Sequence, residues 1–357
     1  MSEKVLVAMS GGVDSSVAAA LLQEQGFGVT GVTLKLFSNE DIGIERGRTC
    51  CSLSDVEDAR NVAFRLGFDH YVFNFSDQFR REVIDRFASA YARGETPNPC
   101  IDCNRFIKFS ELLDRARVLD MDYIATGHYA RVEKDEKTGR FILKKALDIS
   151  KDQSYVLYAM TQEQLARTLL PLGSMHKSEA RRFAEERGLV NARKPDSQDI
   201  CFVKDGDYAG FLKNTMNVIS PPGNFIDNTG NILGTHKGHI HYTIGQRKGL
   251  GLSFEKPKYV IKKDMAANTV VLGDEKELYS KSMTVKDINL ISVETLPESM
   301  KAAVKTRYSQ KETPAMLYPL GDGRVLVNFD EPQRAVTSGQ AAVFYDGETV
   351  IGGGTIE

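Results

Sequence analysis

The chain is predicted to be an α/β protein, with an N-terminal doubly wound parallel sheet followed by two small mainly-β domains, the last a β-barrel. Three observations carry this. Short apolar runs alternate with helical patterns over the first two hundred residues, and strands separated by helices pair in parallel because parallel neighbours need a crossover. A glycine- and serine-rich turn follows the first apolar run, where an open α/β sheet binds its ligand. From about Asp205 onward helical periodicity gives way to short alternating segments punctuated by Gly and Pro, the pattern of small antiparallel sheets or barrels.

Taken in order, Val5 to Met9 is long enough only for a buried strand, and Val17 to Gln25 is a helix stopped at Gly26. Val29 to Phe37 is strand-like. Ser54 and Glu57 have the spacing of a capping box and open a helix through Arg65, which Gly67 closes. Tyr71 to Phe75 reads as a strand, Phe79 to Arg93 as an amphipathic helix, Phe109 to Val118 as a helix and Tyr123 to Thr126 as a strand. Arg131 to Lys145 forms a hairpin around Asp135–Gly139, and helices follow at Gln162 to Leu170 and Ser178 to Arg187. Later strands include Tyr259 to Lys263, Thr269 to Leu272 and Val325 to Phe329. The expected domains are 1–204, the α/β domain, 205–280, a β-rich domain, and 281–357, a β-barrel.

Composition narrows the function. Forty-six basic against forty-eight acidic side chains leave a net charge of −2, which excludes a uniformly basic nucleic-acid coat but not local basic patches. Five cysteines, an odd and small number for 357 residues, argue against a secreted disulfide framework. No apolar run approaches the roughly 20 residues that span a bilayer. The expectation is a cytoplasmic protein with reduced cysteines and no membrane contact.

In Ser10-Gly11-Gly12-Val13-Asp14-Ser15-Ser16 the glycines let the backbone approach an anion, and the following helix supplies orphan N–H groups and a partial positive charge. Asp14 could cap that helix or help hold Mg²⁺. The absence of GxxxxGK[ST] and of GxGxxG after this strand disfavours a γ-phosphate transferase and a dinucleotide site. Cys100 and Cys103 form a CxxC that two prolines, Pro97 and Pro99, are expected to hold as a stiff extended loop, and Arg105 and Lys108 nearby favour a thiolate. With Cys201, these residues fit two chemistries. One is a thiol pair that carries a persulfide and resolves it to a disulfide. The other is a three-cysteine [4Fe-4S] site with one open iron. Spacing does not choose between them. Cys50 and Cys51 read as a structural pair.

SGGVDSS resembles the signature of the PP-loop ATP pyrophosphatases, which implies cleavage of ATP between its α- and β-phosphates. Together with TPNPCIDCN, ATGHYA, KDQSYVLY, PLGSMHKSEAR, DSQDICF, YTIGQRKGLG and SGQAAVFY, in that order, it is similar to the tRNA-specific 2-thiouridylase (MnmA) family. The resemblance implies adenylation of O2 of a wobble uridine, release of pyrophosphate, then attack of a persulfide sulfur at C2 with departure of AMP. It implies Cys103 as nucleophile and Cys201 as persulfide carrier. It places Ala8, Met9, Ser10, Gly11, Gly12, Val13, Asp14, Ser15, Leu34 and Gly127 around ATP with Mg²⁺. It places Asn98, Pro99, Cys100, His128, Lys151, Asp152, Gln153, Arg307, Tyr308 and Gln340 on tRNA. Cys100 stands where many relatives carry Asp. A protein sulfur donor, a cysteine desulfurase or a sulfur-relay protein, is implied as partner.

Two basic stretches are candidates for holding RNA phosphates. Seven Lys or Arg against the single acidic Glu255 lie between His236 and Lys263, and Lys301, Lys305, Arg307 and Lys311 would share one face of a strand. His236, His239 and His241 lack a carboxylate or cysteine partner in the sequence and are expected on a surface strand.

Overall fold

A computed structural model describes residues 2–38, 53–195, 199–203 and 206–357. Cys50, Cys51 and the stretch 196–198 lie outside the described residues. In chain order the first strands are β1 (Lys4–Ala8), β2 (Gly28–Lys35), β3 (His70–Asn74) and β4 (Tyr123–Ala125), then a hairpin of β5 (Arg131–Lys134) and β6 (Phe141–Lys144), then β7 (Thr168–Leu169). Five of them form a sheet in the order β3-β2-β1-β4-β7, every pair parallel. Period-two alternation along β1 sends Val5 and Val7 to one face and Leu6 to the other, all fully buried. Val5 and Val7 pack with α1 (Val13–Glu24), α2 (Leu53–Leu66) and α3 (Lys177–Glu186). Leu6 meets Phe79, Phe87, Ile107 and Leu112 on the opposite layer. The sheet is doubly wound, and its strand order reverses between β1 and β4, so the crevice opens at their carboxyl ends.

The segment expected to be an extended loop is helical from Pro99. Asn98 accepts a hydrogen bond from Cys100 N–H at 3.1 Å, and Pro99 occupies the first helical position, where its missing N–H has no partner to lose. The chain winds through Pro99–Asp102, widens to a π-helix over Cys103–Glu111 and returns to α over Leu112–Val118. The CxxC is therefore at a helix N-terminus, which corrects the loop expectation.

β8 (Gly223–Ile226), β9 (Ile232–His236), β10 (Tyr259–Asp264) and β11 (Thr269–Gly273) form a four-stranded sheet around Phe225, Val260, Val270 and Leu272. The last module contains β12 (Tyr279–Leu290), β13 (Met300–Lys305), β14 (Thr313–Pro319), β15 (Val325–Arg334), β16 (Ala341–Asp346) and β17 (Thr349–Ile356). β12 pairs with both β15 and β17, so these six strands close into a barrel and leave no open edge. The β5–β6 hairpin extends that barrel's sheet, with Lys144 opposite Thr349. Lys145 Nζ donates to the Gly347 carbonyl at 2.9 Å and to Glu312, and Arg131 meets Glu348 at 2.8 Å. No helix among the described residues is long and apolar enough to cross a membrane.

Two surface expectations fail. His236 and His239 are 1% and 7% exposed and pack inside the central module. β13 ends at Lys305, so Arg307 and Lys311 do not continue its alternation.

Candidate active site

The loop between β1 and α1 is built from its own polar groups. Ser15 Oγ accepts from Ser10 N–H at 3.2 Å and donates to the Gly12 carbonyl at 3.0 Å, and Ser16 Oγ donates to the same carbonyl at 3.2 Å. Gly12 is the helix N-cap without a side-chain cap, so Asp14 does not cap it. The Asp14 carboxylate instead accepts from Tyr129 O–H at 2.8 Å and from Lys177 Nζ, 2.7 Å from both oxygens. Lys177 was legible only inside the motif PLGSMHKSEAR, and its role as counter-ion was not.

A cavity of about 1170 Å³ opens at the carboxyl ends of β1 and β4. Ala8, Met9, Ser10, Gly12, Val13, Asp14, Ser15, Leu34 and Gly127 line it. Gly11 does not. It takes the left-handed conformation at φ +72°, and its carbonyl accepts from Asn191 Nδ2 at 3.0 Å. Gly127 follows β4 so tightly against the loop that a Cβ there would lie 2.7 Å from Asp14 C and Ser15 N.

Cys100, Cys103 and Cys201 line the same cavity, as do Lys108 and His128. Cys103 is buried and Cys100 exposed, with Cys201 between. Burial pushes the Cys103 thiol up to about 11; Lys108 draws it back, and Cys100 and Asp102 add to the rise. Proximity of basic residues thus does not make Cys103 a ground-state thiolate, contrary to the expectation from its neighbours. His128 is 8% exposed, with Nδ1 at 2.7 Å from Thr126 Oγ1. Its pKa lies well below 6.5 because burial disfavours the cation, and Lys108 acts in the same direction.

The residues expected to meet tRNA divide into three groups. Pro99, Cys100, His128, Lys151, Gln153 and Tyr308 face the main cavity. Arg307 and Gln340 line a second cavity of about 270 Å³, which shares Tyr308 with the first. Asn98 and Asp152 serve the backbone: Asn98 caps its helix, and Asp152, 9% exposed, accepts from Ala146 N–H, Ser154 N–H and Ser154 Oγ. Gln340 Nε2 donates to the Thr96 carbonyl at 2.6 Å, and Arg307 donates to the Ala335 carbonyl. In the central stretch Lys258 pairs with Asp274 at 2.9 Å and Lys263 is largely buried, its pKa lowered to about 8 by desolvation, so neither is a free phosphate contact. Among the described residues no group of three His, Cys, Asp or Glu side chains gathers to hold a metal ion.

A parallel sheet with a glycine-rich loop at its switch point, sharing one cavity with paired cysteines and followed by two β-modules, defines a nucleotide-binding domain of the HUP class joined to barrel domains. Three family profiles cover the chain in that order: the tRNA methyl transferase HUP domain over 3–205, the tRNA methyl transferase PRC-barrel domain over 209–274 and the aminomethyltransferase beta-barrel domain over 280–356. The chain is 52% identical over 357 residues to the tRNA-specific 2-thiouridylase MnmA of Clostridioides difficile, covering 100% of this chain and 99% of the relative. It is 54% identical to that of Acetivibrio thermocellus, covering 99% of each. The chain belongs to the tRNA-specific 2-thiouridylase family. A solved structure, the U34-tRNA thiolase NcsA of Methanococcus maripaludis with its [4Fe-4S] cluster, aligns at 18% identity and TM-score 0.35 over 60% of this chain and 64% of that one, and at that score it carries no argument.

Proposed function

We propose that the protein is an ATP-dependent tRNA-uridine 2-sulfurtransferase of the cytoplasm. The carrying observation is the single cavity lined by the phosphate loop, Cys103 and Cys201. The loop amides and the N-terminus of α1 would hold the phosphates of ATP, with magnesium arriving on those phosphates. The wobble uridine O2 attacks the α-phosphorus, and pyrophosphate leaves with the bonding electrons. Cys201 carries a persulfide charged by a donor protein. Its terminal sulfur attacks C2, the C2–O bond breaks toward AMP, and Cys103, giving up its thiol proton to solvent in the cavity, attacks the Cys201 sulfur and displaces the transferred sulfur, leaving a Cys103–Cys201 disulfide. An external thiol then reduces the disulfide. The exposed part of the basic β-modules supports tRNA binding through phosphates, and extraction of the base would cost a few kcal/mol, offset by pocket contacts.

Among the described residues Cys100, Cys103 and Cys201, one exposed, one buried and one between, form no gathered donor set for a cluster. Sulfur delivery is accordingly assigned to the persulfide, and an iron-free preparation is expected to keep full activity.

The test is a pair of variants. Cys103→Ser and Cys201→Ser should each release pyrophosphate in the presence of tRNA and form no 2-thiouridine. Thiolation retained by either variant removes that cysteine from the mechanism, and activity that tracks bound iron returns the cluster.

A further inference from the structure

A second lysine stands beside the phosphate loop. Lys194 Nζ lies 2.6 Å from Asp55 Oδ1, 2.7 Å from Asp58 Oδ2 and 3.3 Å from the Gly11 carbonyl oxygen. All three side chains border the cavity that holds the loop. Three residues earlier, Asn191 is 3% exposed and donates to the same Gly11 carbonyl at 3.0 Å and to Ser16 Oγ at 2.8 Å. The backbone is thus pinned to the loop, while the lysine side chain, 32% exposed, keeps room to turn.

Partial burial works against the Lys194 cation, but the hydrogen bonds it donates to Asp55 and Asp58, with their charges, outweigh it and raise its pKa above the ordinary lysine value. The group is charged at any working pH. The two carboxylates at the edge of the loop oppose a triphosphate entering it. A short rotation of the same ammonium toward the loop reverses that, because a charge-assisted contact to a phosphate replaces one to a carboxylate. Among the described residues the loop is also fastened by Asn191 and by its own serines, so it does not depend on Lys194 alone.

We infer that Lys194 is a phosphate-binding residue of the ATP site, held in reserve on Asp55 and Asp58 until the β- and γ-phosphates arrive, and that the two carboxylates set ATP affinity by competing for its ammonium. The inference rests on the loop's binding ATP as proposed above.

The experiment measures equilibrium binding of magnesium-ATP and of AMP to the full-length protein without tRNA or sulfur donor. Lys194→Met should bind ATP roughly tenfold more weakly, the loss expected for one charge-assisted contact, and bind AMP as the wild type does. Asp55→Asn/Asp58→Asn should bind ATP several-fold more tightly, as expected for freeing a charged partner. Removal of two negative charges beside the phosphates would tighten binding by itself, so the decisive variant combines all three substitutions. If the carboxylates act through Lys194, most of the gain disappears in the Lys194→Met background. If the triple variant gains as much over Lys194→Met as the double variant gains over wild type, direct repulsion explains the effect and the inference is overturned. Equal ATP affinity of Lys194→Met and wild type overturns it as well. Asp58→Asn alone, at a more exposed position than Asp55, repeats the cycle should the double variant fail to fold. ATP that binds but ignores Lys194 sinks this inference alone, whereas a wild-type protein that binds no ATP sinks the reading of the loop beneath it.

Discussion

Lys177 grips Asp14 across 163 residues of sequence: its Nζ is 2.7 Å from each carboxylate oxygen, with the lysine side chain 10% exposed and the aspartate 32%. The contact ties α3 to the phosphate loop at the first turn of α1. It also explains why an acidic residue is tolerated at the edge of a site for phosphates, because its charge is already neutralised.

Lys177→Met should therefore destabilise the fold by about 2 kcal/mol, less than the 3–5 kcal/mol of breaking a fully buried pair because Asp14 is partly solvated. Urea denaturation reads the loss. Asp14→Asn in the same background should restore part of it, since the stranded charge is gone, and a double variant no more stable than Lys177→Met would refute the pairing.

Gly127→Ala places a Cβ 2.7 Å from two backbone atoms of the loop, Asp14 C and Ser15 N. Backbone cannot swing aside as a side chain can, so the expected cost is about 1–3 kcal/mol of overpacking together with weakened ATP binding. Calorimetric titration with ATP checks this. Unchanged ATP affinity would place the nucleotide elsewhere.

The Cys103 thiol should be slow to alkylate near neutral pH, with its rate rising as pH approaches about 11. The sign of the stability effect follows. Its folded pKa is raised above the ordinary 9.0, so the contribution is fully present below 9.0 and lost as pH rises through about 11. The stability difference between wild type and Cys103→Ser, measured at pH 8 and at pH 10.5, should shrink at the higher value. A thiol that reacts rapidly at pH 7 in the resting protein would show that burial does not control it.

His128 should stay neutral across the working range, because burial and Lys108 both lower its pKa. A lowered folded value means a stability contribution present above the ordinary 6.5 and lost as pH falls below it. Ring-proton NMR should show no titration between pH 6 and 8. A midpoint near 6.5 would mean that the ring is solvated.

The order of strands and helices as far as β4, the place of the phosphate loop and the late turn to β-structure were legible because each rests on local periodicity and on glycines next to a strand end; β7 was hidden inside the expected helix Gln162 to Leu170, because a two-residue strand has no period of its own. Other features depend on partners far away. Lys194 meets Asp55 across 139 residues, and Lys145 reaches the Gly347 carbonyl across 202, which fastens a hairpin counted with the first domain to the barrel's sheet. The helix at the CxxC was hidden for a local reason: two prolines read as breakers, although Pro99 sits where a helix accepts one and Asn98 caps it. Two of the three His side chains of the central module misled because polarity suggested a surface: His236 Nδ1 accepts from Gly238 N–H inside the packed module and His239 is buried beside it, whereas His241 is exposed as expected.

The central claim is sulfur transfer to tRNA driven by cleavage of ATP to AMP and pyrophosphate. Its most direct test incubates the full-length protein with ATP, magnesium, a persulfide donor and unmodified tRNA, followed by nucleoside analysis of the digested RNA. The account predicts 2-thiouridine at the wobble position, with pyrophosphate released as the thiolated nucleoside forms. Pyrophosphate released without any thiolated nucleoside, from protein purified anaerobically with its cysteines reduced, would contradict it.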